Sequence, residues 1–580
     1  MSEPAQQKPG WPAMSLREAH AFLTAPNSRF ALEEVIIRGV PTRCWKHAPP
    51  TLAEVLATGR LYGNRDFLVY EDERVSFESF WRASSAVAAE LKSRGVEKGD
   101  RVAIIMRNLP EWAAAFYGAA VIGAIVTPLN AWWTGSELEY GLVDSGARVA
   151  FVDSERLERI AEHLVNCPAL ERIYVSRYAD ELPHPLVARL EDVIGAVNAW
   201  SALPDRRPPD VQLDPDDDAT ILYTSGTTGK PKGALGTHRN MNSNIMAAGF
   251  SAARNFLRRG EAPPALDPMT APQRSALLSV PFFHATGSFA VLNPALFTGA
   301  KLVLMRKWDV EAALQLIERE KVNQAGGVPT IAWQLLEHPA RERYDLSSLE
   351  SVAYGGAPSA PELVRKIVTS FPGSLPGNGW GMTETSATCT HHSGEDYLHR
   401  PDSCGPPVAV CDLKIVSPEG TALPPGAIGE LWARGPNIVK GYWNRPQETA
   451  ETFIDGWVRT GDLAKLDNEG FCTIVDRAKD MLIRGGENIY CVEVENALYE
   501  HSAVMDAALV PIPHHTLGEE PAAIVHLRPG HHTTETELRS FVAGRLAAFK
   551  VPVKIVFWPE TLPRNVNGKI LKSELKRAVS

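Results

Sequence analysis

The residues 223–233 read Tyr-Thr-Ser-Gly-Thr-Thr-Gly-Lys-Pro-Lys-Gly, a run whose groups suit a polyphosphate. Gly226, Gly229 and Gly233 let the backbone turn tightly and present its N–H groups, while Thr224, Ser225, Thr227 and Thr228 offer short hydroxyl donors. Lys230 and Lys232 add positive charge for phosphate oxygens. A Walker loop needs four residues between its glycines and Ser or Thr after Gly-Lys. Here only Thr227 and Thr228 separate Gly226 from Gly229, and Pro231 follows Lys230, so this is a phosphate loop of another type. A flexible surface loop is the plain alternative for such a run taken alone.

This loop resembles the signature of the adenylate-forming superfamily, which includes acyl-CoA synthetases, luciferases and peptide-synthetase adenylation domains. Further stretches resemble that family's motifs in order. Residues 281–287, Pro-Phe-Phe-His-Ala-Thr-Gly, are similar to its acyl-pocket motif, and Tyr354-Gly355-Gly356-Ala357-Pro358 to its adenine-binding loop. Gly379-Trp380-Gly381-Met382-Thr383-Glu384-Thr385 resembles the stretch that stacks adenine and binds phosphate and magnesium. Residues 457–462 resemble the ribose-binding aspartate motif, 476–480 the interdomain hinge, 484–488 the loop beyond it, and 563–569 the catalytic-lysine motif.

The resemblance implies roles residue by residue. Thr224, Ser225, Gly226, Thr227, Thr228, Gly229 and Lys230 would hold phosphates, with Gly355, Gly356, Ala357, Pro358, Trp380, Gly381 and Met382 around the adenine. Asp462 would accept from the ribose hydroxyls, with Arg477 on the same sugar. Glu384 would hold Mg2+, an oxygen ligand for a hard cation, beside Thr383. Trp380 stands where the family often has tyrosine; it keeps an aromatic face and loses a hydroxyl. Lys569 would steady the substrate carboxylate against the α-phosphate, and His284 would gate or line the passage of the thiol. A half-buried loop histidine is the alternative for His284. The acyl pocket is expected near Phe283, His284, Val328 and Gly379. A small C-terminal domain would turn about Lys479, so that Gly485, Gly486 and Glu487 meet coenzyme A in a second step.

The implied reaction joins a carboxylic acid to CoA through an acyl-adenylate, with ATP, Mg2+ and CoA required. A medium- or long-chain fatty acid is expected first, an aromatic or cinnamate-like acid second. An adenylating enzyme that loads a carrier protein is the rival within the family. Amino-acid-activating members usually carry an aspartate where His284 stands, which argues against an amino acid.

The elements that must position these groups follow an α/β pattern. Short β-branched runs at 101–106, 148–152, 219–223, 276–280, 301–304 and 351–354 read as buried strands, and 78–91 and 310–320 as helices. Such alternation predicts parallel sheets flanked by helices, with ligands at the strand ends. Past residue 475 the texture becomes α+β, and Thr534 with Glu537 forms a capping-box signature. The expectation is therefore a large multi-layered N-terminal domain, 1–476, and a small mobile α+β domain, 477–580, with disorder to about residue 14.

Composition excludes several classes. The chain of 580 residues is 44% hydrophobic and carries 59 basic against 69 acidic residues, a net charge of −10, with no like-charge block. A nucleic-acid partner is not expected. Seven cysteines without Cys-x-x-Cys spacing argue against disulfides or zinc. The His-His pairs at 391–392, 514–515 and 531–532 read as solvated loop residues. The stretch 112–129 is almost wholly apolar, yet its alanines and glycines favour a helix buried in an α/β core over a membrane span. A small-molecule acid, ATP and CoA are thus the expected partners, a homodimer stays open, and a cytoplasmic setting is expected.

Overall fold

The computed structural model describes residues 11–224, 230–264, 267, 269–356, 361–564 and 569–579. Two eight-stranded sheets build the large domain. The first runs, edge to edge, through Gly441–Tyr442, Lys232–Thr237, Asp218–Thr224, Ile125–Pro128, Arg101–Ile105, Val149–Asp153, Arg172–Ser176 and Val187–Arg189. The second runs through Thr390–Ser393, Leu375–Trp380, Ser351–Gly355, Gln324–Gly327, Ser275–Leu278, Lys301–Leu304, Asp66–Tyr70 and Glu73–Ser76. Central strands are parallel and antiparallel pairing is confined to the margins. This suits strands that are apolar on both faces, since a parallel sheet is covered on both sides. Helices Phe77–Ser93 and Pro110–Ala120 share one core with strands of both sheets, from Val102 and Ile104 to Leu302 and Leu304.

The apolar stretch 112–129 is not one helix. Helix Pro110–Ala120 ends, Gly123 turns the chain at φ 77°, and strand Ile125–Pro128 enters the first sheet. Alanine suits the helical half, whereas Ile125, Val126 and Thr127 are β-branched and favour the pleat. Uniform burial hides the change of period, because every residue from Pro110 to Leu129 is inside. Among the described residues no helix is long and apolar enough to cross a membrane.

A third, antiparallel sheet of Asp412–Val416, Gly429–Arg434, Trp457–Leu466, Phe453–Ile454 and Cys472–Arg477 leads to the C-terminal unit. There, Gly518–Leu527 pairs with Val504–His514 and, in parallel, with Lys554–Phe557. Alternate residues face opposite ways. Ala507, Leu509, Ala523 and Val525 meet helices Cys491–Tyr499 and Glu535–Ala543, while Ala508, Val510, Ala522 and Ile524 meet Leu575 and Val579 of helix Lys572–Val579. The capping box forms, with Thr534 accepting from the Glu537 N–H.

Two further expectations change. The Trp11 ring stacks on His399 at 3.8 Å, and Arg258 donates to the Met14 carbonyl at 3.1 Å, so residues 11–14 are anchored. His391 and His392 lie in strand Thr390–Ser393. His392 is buried, its Nε2 bonded to the Ser403 carbonyl at 2.8 Å, and burial holds His391 down at about 4. His531 and His532 are exposed, and all seven cysteines are buried free thiols.

Candidate functional site

The third sheet sets up one carboxylate. Asp462 and Arg477 stand opposite each other in the pairing of Trp457–Leu466 with Cys472–Arg477, and Arg477 Nε lies 3.5 Å from Asp462 Oδ1. Strand Leu375–Trp380 of the second sheet ends beside them, and the Trp380 indole N–H donates to Asp462 Oδ2 at 2.8 Å. Gly355 and Gly379 are neighbours on parallel strands, and a Cβ on Gly355 would come 2.8 Å from the Gly379 carbonyl. Gly356 follows at φ 75°. Ala357 and Pro358, assigned to the same wall, lie outside the described residues.

After Trp380 the chain makes a compact, strained loop. A Cβ on Gly381 would sit 1.3 Å from the Ala387 carbonyl oxygen, so only glycine fits. Ser386 and Ala387 hold left-handed φ values of 47° and 82°, costly for residues with a Cβ. Buried amides from elsewhere keep them there. Asn244 of helix His238–Arg258 donates to the Ser386 carbonyl at 2.6 Å and accepts from the Thr388 N–H at 3.0 Å. Asn437 donates to the carbonyls of Thr385 and Thr388 at 3.0 and 3.2 Å. Met382 and Thr385 tie the turn through the Thr385 hydroxyl.

That loop carries Thr383, half-buried, and Glu384, which is only 6% exposed. Burial raises the Glu384 carboxyl, opposed by a 2.8 Å hydrogen bond from the Tyr442 hydroxyl and by the positive charges of Lys569 and Arg477. Burial likewise lowers the Lys569 ammonium to about 8; the Arg477 charge acts in the same direction, and Asp462 and Glu384 oppose it. These mutual effects place Lys569, Glu384, Asp462 and Arg477 in one electrostatic neighbourhood. The charge of Lys569, on the C-terminal unit, is thus felt at Glu384 and Asp462.

Strands Asp218–Thr224 and Lys232–Thr237 are antiparallel, with Thr224 opposite Lys232 at the two ends of the stretch expected to hold phosphate. Ser225, Gly226, Thr227, Thr228 and Gly229 lie outside the described residues. The start of the second strand is pinned by the Tyr140 hydroxyl to the Pro231 carbonyl at 2.9 Å, with Lys230 over the Tyr140 ring and Lys232 over that of Tyr442.

His284 is half-buried, its ring against Phe283, and a π-helical turn at Thr286–Leu292 follows at once. Burial, helped by the charge of Lys569, pushes its imidazole down to about 3, so it is neutral. Phe283 and Val328 share a cavity of about 220 Å³ with Trp132, Met305 and Ile331, beside Arg564 of the C-terminal unit. His284 and Gly379 do not line it. Lys479 is exposed in the turn between Arg477 and Asp480, closed by a 2.9 Å bond from the Asp480 N–H to the Arg477 carbonyl. Gly485 and Gly486, at φ 60° and 90°, and Glu487 are exposed on a hairpin tied to Leu517.

Reading the chain alone missed Tyr442, Asn244 and Asn437. Each acts through a contact distant in sequence, and no local spacing marks it.

The site thus gathers a carboxylate facing an arginine, a buried glutamate and a lysine from a separate unit, groups suited to a nucleotide. The chain belongs to the AMP-binding enzyme family: that family's model matches residues 57–443, and the AMP-binding enzyme C-terminal domain matches 493–569. It is 34% identical over 507 residues to a feruloyl-CoA synthase of Amycolatopsis sp, covering 87% of this chain and 94% of that one. It is 33% identical over 545 residues to a long-chain-fatty-acid–CoA ligase of Bacillus subtilis (strain 168), covering 90% and 94%. The structure is similar to that of an anthranilate CoA ligase in complex with anthranoyl-AMP, with a TM-score of 0.80, 27% identity, and coverage of 91% and 97%. The protein is an AMP-forming acid–thiol ligase that uses ATP and CoA.

Proposed function

We propose that the protein is an acyl-CoA synthetase for an acid with an apolar body, a medium- or long-chain fatty acid first. The observation that supports the activation step is the convergence of Lys569, Glu384, Asp462 and Arg477. Asp462 and Arg477 hold the ribose. The acid's carboxylate oxygen bonds to the α-phosphorus as the bond to the bridging oxygen breaks and pyrophosphate leaves. Lys569 offsets the repulsion between two anions brought together, an electrostatic role matched to a low-dielectric site. Glu384 suits Mg2+: it is a buried oxygen donor whose ionised form is disfavoured until a cation pairs with it. Bound there, Mg2+ would neutralise pyrophosphate charge.

In the second half-reaction the CoA sulfur gives up its proton to solvent and bonds to the acyl carbon, and AMP leaves with the electrons of the broken acyl carbon–oxygen bond. With Lys569 turned inward and Gly485, Gly486 and Glu487 exposed, the present arrangement suits the first half-reaction. Rotation at Lys479 would exchange the two faces, a hinge at a single element-terminal position. His284, neutral and beside Phe283, would border the thiol's path.

The apolar wall of Phe283, Val328, Met305 and Ile331 supports the fatty-acid reading. An aromatic, cinnamate-like acid is the second reading, favoured by the edge-on packing of Trp132 against Phe283 at 5.1 Å and by the similarity to a feruloyl-CoA synthase. The test is CoA-dependent AMP release across acetate, octanoate, palmitate, benzoate and ferulate. An optimum at octanoate or palmitate supports the first reading, and an optimum at ferulate replaces it with the second. Pyrophosphate release that CoA does not alter would point to a carrier protein as acceptor.

A further inference from the structure

Trp380 does more than offer a ring face. Its backbone is fixed on both sides, the N–H donating to Thr390 Oγ1 at 3.1 Å and the carbonyl accepting from the Cys389 N–H at 3.0 Å. Its ring packs against two separate cores, beside Leu413 in each. The indole N–H of this immobilised side chain is spent on Asp462 Oδ2. Asp462 is 8% exposed, its own N–H is held by Thr460 Oγ1 at 3.1 Å, and its other oxygen faces Arg477.

An ionised carboxylate has about four acceptor positions over its two oxygens. A ribose diol needs two of them, correctly aimed. With the main chain fixed by Thr460, the remaining freedom of Asp462 is rotation of its side chain. Trp380 holds one oxygen and Arg477 approaches the other, leaving the outward lone pairs for the sugar. A phenylalanine keeps an aromatic face and has no donor at the indole nitrogen's position. A tyrosine carries its only donor at the far end of the ring.

We infer that Trp380 is a positioning residue that sets selectivity for the ribose hydroxyls by fixing the Asp462 carboxylate, an inference that rests on the proposed ribose role of Asp462. A hydrogen bond to a charged group is worth enough for about a tenfold effect or more. In Trp380→Phe the KM for ATP should rise about tenfold while kcat stays within about twofold. The preference for ATP over 2′,3′-dideoxy-ATP, read as kcat/KM for pyrophosphate release, should shrink by a similar factor. Loss of stacking alone would weaken both nucleotides equally, because both carry the same base.

Trp380→Tyr serves as a second variant, expected to behave like Trp380→Phe, with thermal unfolding to verify that each is folded. In an Asp462→Asn background, Trp380→Phe should add no further loss of discrimination. Equal weakening of ATP and its dideoxy analogue in folded variants would overturn the inference and leave Trp380 as a stacking surface. A wild-type enzyme that fails to distinguish the two nucleotides would instead overturn the ribose assignment of Asp462.

Discussion

The two walls of the site are held in opposite ways. The nucleotide wall, from Trp380 to Thr390, is a strained loop locked by buried amides: Asn244 and Asn437 reach it from distant elements, and the Val439 N–H bonds to the Glu384 carbonyl at 3.1 Å. The lysine wall belongs to a unit with its own two-faced core, and its ties to the large domain include polar ones. Arg528 pairs with Glu337 and lies over the Trp333 ring at 5.4 Å, and the Ala478 N–H reaches the Gly461 carbonyl at 3.0 Å. Buried amides released from their partners lose them outright, whereas the Arg528–Glu337 pair, with side chains 14% and 21% exposed, keeps some access to water. The contrast fits the proposed rotation at Lys479, in which one wall stays and the other leaves between the two half-reactions.

The largest expected effect separates the half-reactions. Lys569→Ala should slow acyl-adenylate formation by roughly a thousandfold, and thiol transfer to preformed acyl-AMP should remain within about threefold. Pyrophosphate release and thioester formation from synthetic acyl-AMP measure the two. Equal loss in both would place the lysine on the fixed wall.

Titration gives the next effect. The folded value of about 8 lies below the ordinary lysine value of 10.5, so the ammonium is present below about 8 and lost as pH rises through it. The kcat/KM for ATP, which reports the free enzyme, should fall by about tenfold per pH unit above that point. In Lys569→Arg the break should disappear, because a guanidinium stays charged. A flat wild-type profile to pH 10 would mean that the charge is not needed.

Breaking the fixed wall should hurt both steps. Asn437 is 1% exposed, and Asn437→Ala leaves the Thr385 and Thr388 carbonyls without this donor. A stability loss of about 1–3 kcal/mol in urea unfolding is expected, with each half-reaction down by about tenfold. Damage to adenylation alone would show that the loop does not serve both. The smallest effect concerns the movable wall. Arg528→Ala removes one cross-domain pair and leaves Glu337 its partner Lys366, so adenylation should fall by about threefold while thiol transfer stays equal or quickens. Slowing of both steps would mean that this contact is no docking tie.

The order of the motifs along the chain announced the fold class, because each strand that ends in a glycine-bearing turn carries its signal locally. Residues 301–304 and 310–320 form a strand and a helix at the expected ends, since β-branched runs and 3.6-residue periodicity need no partner to be visible. The stretch 112–129 hid its break because burial on every side erases periodicity. The pair His391–His392 looked solvated because nothing local tells that its strand closes a sheet against Ser403.

The site divides along the same line. The residues at 380, 384, 462, 477 and 569 were singled out in the sequence by the resemblance, as side chains able to stack, chelate, accept from a sugar or carry a positive charge. That the Trp380 nitrogen is bonded to Asp462, that Tyr442 steadies Glu384, and that two asparagines restrain the loop between them was decided by tertiary structure alone. Those contacts join residues separated by 82, 58 and, for Asn244 with Ser386, 142 positions. Sequence specifies which groups are available for chemistry, and only packing fixes the angle at which each is held.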